Sequence, residues 1–352
     1  MNTIHVTASN SYDVLVGAGL LDRTGEYAAK LTHAVCAAVV SDDTVFPLYG
    51  EAVCRSLRAA GLRVVSYVFP HGERSKNIET FSDILNFLAE NRVTRTDLVV
   101  ALGGGVVGDV TGFAGACYLR GVAYIQIPTT LLAAVDSSVG GKTAIDLRAG
   151  KNLAGSFYQP HLVLCDTNTL DTLPDAIFAD GCAEVVKYAM YGNAPFFEEL
   201  SQNGVKNQLS HVISTCVCMK RDVVCADEFD RGGRQILNFG HTFGHAVERC
   251  SDFSVSHGSA VAIGMAMMSR AAVKRGLCDA SVLAALLALL HKLGLPTEPT
   301  FSADELLEAA CRDKKISGST LNLIVPRAIG SCEITPIDTS ELSAWLRDGG
   351  AV

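Results

Sequence analysis

The sequence lacks any apolar run long enough to cross a membrane. In its C-terminal half the longest such run, residues 282–290, is far shorter than the ~20 residues that a transmembrane helix needs. The first ten residues, MNTIHVTASN, also lack the basic region and apolar core of a secretory signal. We therefore expect a cytoplasmic protein.

Paired cysteines and an excess of positive charge are missing as well. None of the twelve cysteines belongs to a CxxC pair, and without an export signal we interpret them as reduced thiols. The closest two, Cys216 and Cys218, fit core positions on a helix. The net charge of −8 argues against a nucleic-acid or acidic-membrane partner, while still allowing a local basic pocket.

What is present is the composition of a folded protein, and 352 residues suffice for two domains. The N-terminal half alternates β-branched segments with helical spacing. Strands are predicted at 35–40, 63–69 and 97–102, and helices at 51–60 and 75–91, the second capped by Ser75. This alternation predicts a parallel sheet with helical crossovers, that is, an α/β Rossmann-like nucleotide-binding domain.

After Pro174 the sequence becomes mainly helical. Helices are predicted at 175–191, 195–225, 241–250, 258–275 and 279–293, and a strand or hairpin at 321–326. We therefore expect an α/β domain at residues 1–173 and a mainly α-helical domain at 174–352.

A glycine-rich turn follows the strand at 97–102. Gly103, Gly104 and Gly105 separate that strand from a helical pattern, and such a turn lets backbone N–H groups bind a phosphate. The usual dinucleotide fingerprint has an acid about 20 residues after its glycines, whereas the suitable acid here, Asp42, precedes them. The pattern favours a nucleotide phosphate site, with a simple tight turn as the alternative.

A second glycine loop presents a lysine. Residues 137–143, SSVGGKT, come close to a P-loop, but Asp136 stands where the first glycine is required, so the motif fails. Together with Asp136, Lys151 and Asn152, the loop suits a polar, anionic ligand. A solvated loop explains these residues equally well.

Three of the nine histidines lie within residues 241–257. His241 and His245 are four residues apart and share one helix face, and His257 follows a polar loop. Two or three imidazoles with one carboxylate are typical of a divalent-metal site that keeps a position open. We predict a metal site here, with Glu184 or Glu248 as the carboxylate; histidines with ordinary hydrogen bonds are the alternative.

Five motifs carry a family resemblance. They are GGGVVGDVTGFAGACYLRG at 103–121, IPTTLLAAVDSSVGGKTAIDL at 127–147, GKNLAGSFYQP at 150–160, AEVVKY at 183–188 and LNFGHTFGHAVE at 237–248. With them the chain resembles the 3-dehydroquinate synthase family of sugar-phosphate cyclases from residue 41 to about residue 315. The resemblance implies that residues 1–173 bind NAD and that residues 174–352 bind metal and substrate.

The resemblance also implies the cofactor-binding residues. The implied NAD pocket comprises Asp42, Glu73, Lys76, Gly105, Val106, Gly108, Asp109, Thr129, Thr130, Lys142, Lys151, Thr169, Leu170 and Thr172. The implied ligands of the metal, zinc or cobalt, are Glu184, His241 and His257. His245, which helix spacing alone would pair with His241, is thereby assigned to the substrate.

The implied substrate is 3-deoxy-D-arabino-heptulosonate 7-phosphate. The implied substrate-binding residues are Arg120, Asp136, Lys142, Asn152, Lys187, Lys220, Arg234, Asn238 and His245. Lys142, Asn238 and His245 would meet the phosphate, while Lys220 and Arg234 would hold the carboxylate.

Further contacts follow from the same resemblance. Asp136, Asn152 and Lys187 would surround the reacting hydroxyls. Arg120 would reach the phosphate from the second subunit of a homodimer, and Lys314 or Lys315 would close over it.

The implied reaction yields 3-dehydroquinate and phosphate, a step of the shikimate pathway. Transient oxidation by NAD, phosphate elimination, re-reduction, ring opening and aldol closure would follow one another. Two alternatives stay open: a related cyclase whose substrate lacks a carboxylate, and a metal-dependent polyol dehydrogenase. Lys220 with Arg234 favours the carboxylated substrate.

One residue departs from the family pattern Asp-Glu-x-Glu-x-Gly-x-Arg. Asp230 stands in place of the second Glu and is one methylene shorter. We expect activity to be retained.

Overall fold

The computed structural model describes residues 1–311 and 320–352, apart from the side chain of Cys311. Lys314 and Lys315, one of which we expected over the phosphate, lie outside the described residues. The described chain forms two compact units. The first comprises residues 1–173 and 209–229, and the second comprises residues 174–208 and 230–352.

A mixed, largely parallel sheet organises the first unit. Its strands are β1 (Asn2–Val6), β2 (Tyr12–Gly17), β3 (Cys36–Asp42), β4 (Arg63–Phe69), β5 (Leu98–Gly103), β6 (Ala123–Pro128) and β9 (Leu162–Asp166). Their order is β1-β2-β9-β6-β5-β3-β4, and within the described residues only the β1–β2 pair is antiparallel. The remaining strands, β7 (Lys142–Leu147) and β8 (Gly150–Phe157), form a separate hairpin.

Helices cover both faces of this sheet. They are α1 (Thr24–Leu31), α2 (Glu51–Ala59), α3 (Ile78–Glu90) and α4 (Gly105–Cys117). On β3, Ala37 and Val39 pack in one core with α1 and α2, while Ala38 and Val40 pack in another with α3 and α4. The β-branched, nearly continuous apolar strands follow from burial on both faces. The predicted α/β Rossmann-like architecture is confirmed.

The strand order explains why the acid precedes the glycines. From β3 the chain goes to β4 on one side and then crosses to β5 on the other, so the connection reverses between β3 and β5. Such a switch point is where open α/β sheets bind ligands. Because Ser41 pairs with Leu102 in the parallel register, Asp42 and the glycine turn leave the sheet next to each other.

The start of α3 differs from the prediction. The helix begins at Ile78, and its cap is Asn77, whose side chain accepts a hydrogen bond from the Thr80 amide at 2.8 Å. Ser75, the predicted cap, ends a short 3₁₀ turn and donates its hydroxyl to the Pro70 carbonyl. Asn77 is extended, as an N-cap must be, so it takes the role instead.

The second unit is mainly helical, as predicted. Its helices are α5 (Asp175–Gly192), α6 (Ala194–Asn203), α8 (His241–Cys250), α9 (His257–Lys274), α10 (Ala280–Lys292), α11 (Ala303–Cys311) and α12 (Leu342–Asp348). The hairpin expected near 321–326 is formed by β10 (Thr320–Ala328) and β11 (Ser331–Asp338). Among the described residues, no helix combines the length and hydrophobicity that a membrane span requires.

The single helix predicted at 195–225 is wrong. Gly204, with a left-handed φ of 72°, ends α6, and a new helix, α7 (Leu209–Ala226), follows. Glycine adopts this conformation without a steric penalty, which stops the helix. α7 belongs to the first unit. Its apolar residues Val212, Ile213 and Val217 are buried, and the helix contacts β1, β2 and residues 133–137.

Candidate active site and metal centre

Three helices of the second unit bring together a carboxylate and two imidazoles. Glu184 lies in α5, while His241 and His257 are the first residues of α8 and α9. One oxygen of Glu184 is 3.4 Å from Nε2 of His241 and 3.3 Å from Nε2 of His257. All three potential donor atoms lie within 4.8 Å of one another, a suitable arrangement for one divalent cation.

The Glu184 carboxylate is fully buried. Burial raises its pKa, but Lys187 and His241 outweigh that effect and hold the pKa well below its usual range. Among the described residues its oxygens contact the Lys187 ammonium and the two imidazoles as ion pairs, but none of these contacts has the geometry of an ordinary hydrogen bond. A charged, buried carboxylate in this state favours a nearby cation.

The two imidazoles differ in their surroundings. Burial is the main cause that lowers the pKa of His241 to about 4, and its Nδ1 lies 3.1 Å from the Phe239 carbonyl, so Nε2 is left as the donor atom. Burial also lowers the pKa of His257, but its contacts with the carboxylates of Glu184 and Glu248 outweigh burial and raise the pKa to about 10.

His245 and Glu248 form a second group with His257. The Glu248 carboxylate lies 3.4 Å from Nδ1 of His257, on the opposite side of the ring from Glu184. A carboxylate at the second ring nitrogen typically orients a metal-bound histidine. Glu248 is therefore better suited to supporting His257 than to replacing Glu184.

Glycines let α8 and α9 approach closely enough to form this centre. A Cβ on Gly264 would lie 2.0 Å from the Gly240 carbonyl oxygen, and one on Gly244 would lie 2.8 Å from the Ala260 carbonyl oxygen. Gly240 also has a left-handed φ of 77° just before α8. The glycines of the FGHTFGH sequence are thus required by backbone contact between the two helices.

Two cationic side chains of the second unit lie on, or just before, the helices that carry the potential metal ligands. Lys187, one turn after Glu184, is buried and forms an ion pair with it. Arg234 is buried in the 3₁₀ segment Gly233–Asn238, and two residues separate this segment from α8. Asp230 has a left-handed φ of 56°, a conformation that Asp tolerates better than most residues.

In the first unit, the glycine turn forms an open helix start. α4 begins at Gly105, and no described side chain caps it. A Cβ on Gly104 would meet Thr130 at 3.1 Å, and one on Gly105 would meet Ser137 at 3.2 Å. Nearby, the Thr129 amide donates to the Gly103 carbonyl at 3.0 Å, but the buried Thr129 hydroxyl lacks a partner among the described residues. These features suit a bound phosphate.

Several predicted cofactor residues form one polar network. The ammonium of Lys76 is buried and donates to Asp109 and to Asn152, both at 2.6 Å. Burial lowers the pKa of Lys76, but the charges of Asp109 and Glu73 raise it overall. Lys151 lies 3.4 Å from Glu73, so this group of sequence-distant side chains is connected.

The remaining predicted cofactor residues flank β3, β9 and α4. Asp42 accepts the amides of Thr44 and Val45 with one oxygen at 2.9 and 2.8 Å. Thr169, Leu170 and Thr172 lie in the 3₁₀ segment Thr167–Thr172, where the Thr172 hydroxyl is 2.6 Å from that of Tyr49. Val106 and Gly108 belong to the first turn of α4.

An ion pair joins two predicted substrate residues of the first unit. Lys220, buried on α7, pairs with the Asp136 carboxylate and donates to the Asp136 carbonyl at 2.7 Å. Lys142, by contrast, is exposed at the start of β7. A hydrogen bond anchors the loop that precedes it, because the Gly140 amide donates to the Tyr12 hydroxyl at 3.1 Å.

Arg120 lies on a strained and exposed turn. Leu119, Arg120 and Gly121 have φ values of 49°, 68° and 123°, all in the left-handed half of the map. Two consecutive non-glycine residues in this region cost free energy, and such strain concentrates at functional sites. The turn places the Arg120 side chain on the surface.

Sequence patterns missed other residues that the structure connects to these groups. Glu228 accepts hydrogen bonds from the Ser9 amide and hydroxyl and from Gln159 at 2.8, 2.6 and 2.9 Å. The Gln159 side chain in turn lies against Gly141, where an added Cβ would be 2.7 Å from it. Partners so far apart in sequence leave no periodic pattern that could have revealed them.

The chain is similar to known proteins along most of its length. Two family models match the chain, 3-dehydroquinate synthase N-terminal at residues 66–180 and 3-dehydroquinate synthase C-terminal at residues 181–316. A 3-dehydroquinate synthase of Streptococcus suis strain 05ZYH33 is 42% identical over 343 residues, which cover 96% of this chain and 97% of that protein.

Solved structures of other cyclases are also similar. A 2-deoxy-scyllo-inosose synthase in complex with carbaglucose-6-phosphate, NAD+ and Co2+ has a TM-score of 0.89 and 26% identity, covering 99% of this chain and all of that one. The 2-epi-5-epi-valiolone synthase ValA of Streptomyces hygroscopicus subsp. jinggangensis 5008, with NAD+ and Zn2+ bound, has a TM-score of 0.86 and 28% identity, covering 99% and 98%. From the family models and the extent of this identity, the chain belongs to the 3-dehydroquinate synthase family.

Proposed function

We propose that this chain is an enzyme that converts 3-deoxy-D-arabino-heptulosonate 7-phosphate to 3-dehydroquinate and phosphate. The observation that carries the proposal is the buried group of Glu184, His241 and His257, in a chain that is similar along nearly its whole length to a 3-dehydroquinate synthase. A phosphate-eliminating cyclase, a carbon–oxygen lyase, accounts for both.

The second unit is proposed to hold a divalent metal, zinc or cobalt. Glu184, His241 and His257 offer one carboxylate oxygen and two ring nitrogens and would leave a position for substrate oxygens. The buried carboxylate of Glu184 makes no hydrogen bond of ordinary geometry with the described residues, and a charged group in that state fits a cation well. Two similar cyclases carry Co2+ and Zn2+ in their crystals.

The first unit is proposed to hold NAD. The uncapped start of α4 at Gly105 and the orphaned Thr129 hydroxyl suit its phosphates, and Asp42 stands at the switch point where a ribose diol would be bound. The same two cyclases were crystallised with NAD+. Lys76, Asp109 and the other cofactor residues expected from the sequence are proposed to complete this site.

When bound, NAD supplies a reversible hydride acceptor and the metal supplies a Lewis acid. The residues of the chain bind and orient the substrate around them. Arg234 is proposed to bind the carboxylate in a two-pronged manner, because a guanidinium matches its planar geometry. Lys220, held by Asp136, is proposed to contact the same end of the substrate.

Other side chains serve the opposite end and the hydroxyls. Lys142, Asn238 and His245 are proposed to bind the phosphate, and Asn152 and Lys187 the hydroxyls. Lys187 is buried beside Glu184, so its ammonium is already desolvated and oriented before substrate arrives. Holding both anionic ends fixes the hydroxyls between them, and positioning of this kind accounts for much of the rate enhancement in enzymes.

A purified sample with NAD and zinc or cobalt tests the proposal directly. With the heptulosonate phosphate we expect phosphate and 3-dehydroquinate in equal amounts, without net accumulation of NADH. Glu184→Gln serves as the control, because it keeps the size of the side chain and removes its charge. Steady NADH production from a simple polyol would instead identify a dehydrogenase, and phosphate release only from a sugar phosphate without a carboxylate would identify a related cyclase.

A homodimer in the cytoplasm is proposed as the working form. The exposed, strained turn at Arg120 suits a side chain that reaches the phosphate site of a second copy. Sedimentation of the purified protein checks the dimer. Mixing Arg120→Ala with a variant inactivated at Glu184 then checks the shared site, because only a mixed dimer would combine an intact Glu184 with a partner's intact Arg120.

A further inference from the structure

We propose that Asp180 is a positioning residue that fixes the proposed metal ligand His257 in front of Glu184. The inference rests on the metal site proposed above and extends it to a residue that binds no metal. It follows from the way in which α9 begins.

The start of α9 is capped by another helix. Ser256 is the N-cap residue, yet its hydroxyl makes no capping bond to its own helix. It donates instead to Asp180 of α5 at 2.5 Å and lies 2.9 Å from the Ser259 hydroxyl. The Ser259 amide, third in α9, also donates to the Asp180 carboxylate, at 2.9 Å. The acceptor that usually comes from the N-cap side chain therefore comes from α5.

The same face of α5 carries Glu184. Asp180 and Glu184 are four residues apart and so lie one above the other on that face. Asp180 holds the backbone and hydroxyl on either side of His257, while Glu184 meets the His257 ring at 3.3 Å. The same face of α5 therefore fixes the position of His257 at the start of α9 and supplies the carboxylate that the His257 ring contacts.

Backbone contact leaves little freedom at this junction. A Cβ on Gly258 would lie 2.0 Å from the Asp180 carbonyl oxygen, so α5 and α9 touch at the residue after His257. Without the Asp180 carboxylate this contact alone would not fix the helix start. The Ser256 hydroxyl and the Ser259 amide would lose their acceptor and would hydrogen-bond to water instead. The His257 ring would then sample positions in which its Nε2 no longer faces Glu184.

Metal affinity tests the proposal without any measurement of activity. The metal-free protein is titrated with Co2+, followed by visible absorption and by equilibrium dialysis. Loss of groups that orient metal ligands typically weakens binding about 10- to 100-fold, and we expect Asp180→Ala to raise the Kd for Co2+ in that range. Asp180→Asn should remain close to the unmodified protein, since its amide oxygen can accept the same two hydrogen bonds.

Two other caps in the same unit provide matched controls. Asp279 caps α10 through the Ser281 amide at 2.8 Å, and Asn193 caps α6 through the Phe196 amide at 3.1 Å. Asp279→Ala and Asn193→Ala should also lower Tm, because each removes a helix cap. They should leave the Kd for Co2+ unchanged.

The outcomes separate this inference from the proposed function. If the unmodified protein fails to bind one Co2+, the metal site itself is wrong. If it binds Co2+ and Asp180→Ala binds equally well, or if Asp279→Ala weakens binding to the same extent, the role of Asp180 is overturned. Should Asp180→Ala fail to fold, Asp180→Ser, which is too short to reach the Ser259 amide, replaces it with the same expected loss and the same overturning result.

Discussion

The Ser41 hydroxyl donates a hydrogen bond of 2.7 Å to the carbonyl of Leu102. This bond joins the ends of β3 and β5, so that Asp42 and the glycine turn at Gly103 leave the sheet side by side. We therefore expect the acid that precedes the glycines in sequence to serve the position beside them that dinucleotide-binding folds use for ribose recognition.

Replacement of Asp42 should weaken NAD binding. A hydrogen bond to a charged group contributes about 1.5–3 kcal/mol, so we expect Asp42→Ala to raise the Kd for NAD at least about tenfold, measured by calorimetry. Asp42→Asn is the control for local folding, because it retains the acceptor for the Thr44 and Val45 amides. Unchanged NAD binding in Asp42→Ala would remove this residue from the proposed site.

The two histidines His245 and His257 should differ in metal content. After reconstitution and gel filtration we expect His245→Ala to retain one zinc per chain and His257→Ala to lose it, because only His257 lies with Glu184 and His241. Elemental analysis measures the outcome. The reverse result would restore the simple pairing of His241 with His245 on one helix face.

A methyl group at Gly258 should disturb the same centre. Its Cβ would lie 2.0 Å from the Asp180 carbonyl, and overpacking of this kind costs about 1–3 kcal/mol. We expect Gly258→Ala to lower both Tm and zinc affinity. Gly115→Ala in α4, whose Cβ would find its nearest atom at 3.6 Å, should leave Tm equal or higher. Equal Tm for the two variants would contradict the close contact between α5 and α9.

The Asp97 carboxylate should stabilise the folded protein near neutral pH and should lose this effect in strong acid. Burial raises its pKa, but hydrogen bonds from the Thr94, Cys36 and Val35 backbones outweigh burial and lower the pKa below 3.8. A carboxyl with a depressed folded-state pKa contributes stability that is present above the unfolded-state pKa and is lost as pH falls through the folded-state pKa.

We therefore expect Asp97→Asn to lower Tm near neutral pH, where the carboxylate is charged and accepts these bonds. The difference in Tm from the unmodified protein should shrink below about pH 3.8. Thermal scans across this range check it. A difference that stays constant with pH would show that packing, rather than charge, accounts for the contribution of Asp97.

Restoring the family residue at position 230 should not improve the enzyme greatly. Asp230 has a φ of 56°, and left-handed backbone costs most non-glycine residues roughly 1–2 kcal/mol, less for Asp and Asn. We expect Asp230→Glu to lower Tm slightly and to change kcat by less than about tenfold. A rise in kcat of several orders of magnitude would mean that the shorter side chain limits the reaction.

The local spacing of apolar residues was sufficient to predict most helices and strands. Helix and strand positions such as 63–69 and 241–250 follow from spacing of apolar residues, which short-range backbone geometry repeats every 3.6 or 2 residues. The failures were equally local in origin. Gly204 inside the predicted helix 195–225, and the choice between Ser75 and Asn77 as a cap, depended on backbone conformations that composition did not specify.

By itself the sequence determined which functional groups are available. It has glycines before a helix, a carboxylate within an apolar helix, and three histidines close together along the chain. Tertiary structure decided which atoms meet. His257 rather than His245 faces Glu184 with His241, α7 packs with the first unit, and Asp180 caps α9. These contacts join residues tens of positions apart, and only the packing of helices and strands brings such distant side chains within bonding distance.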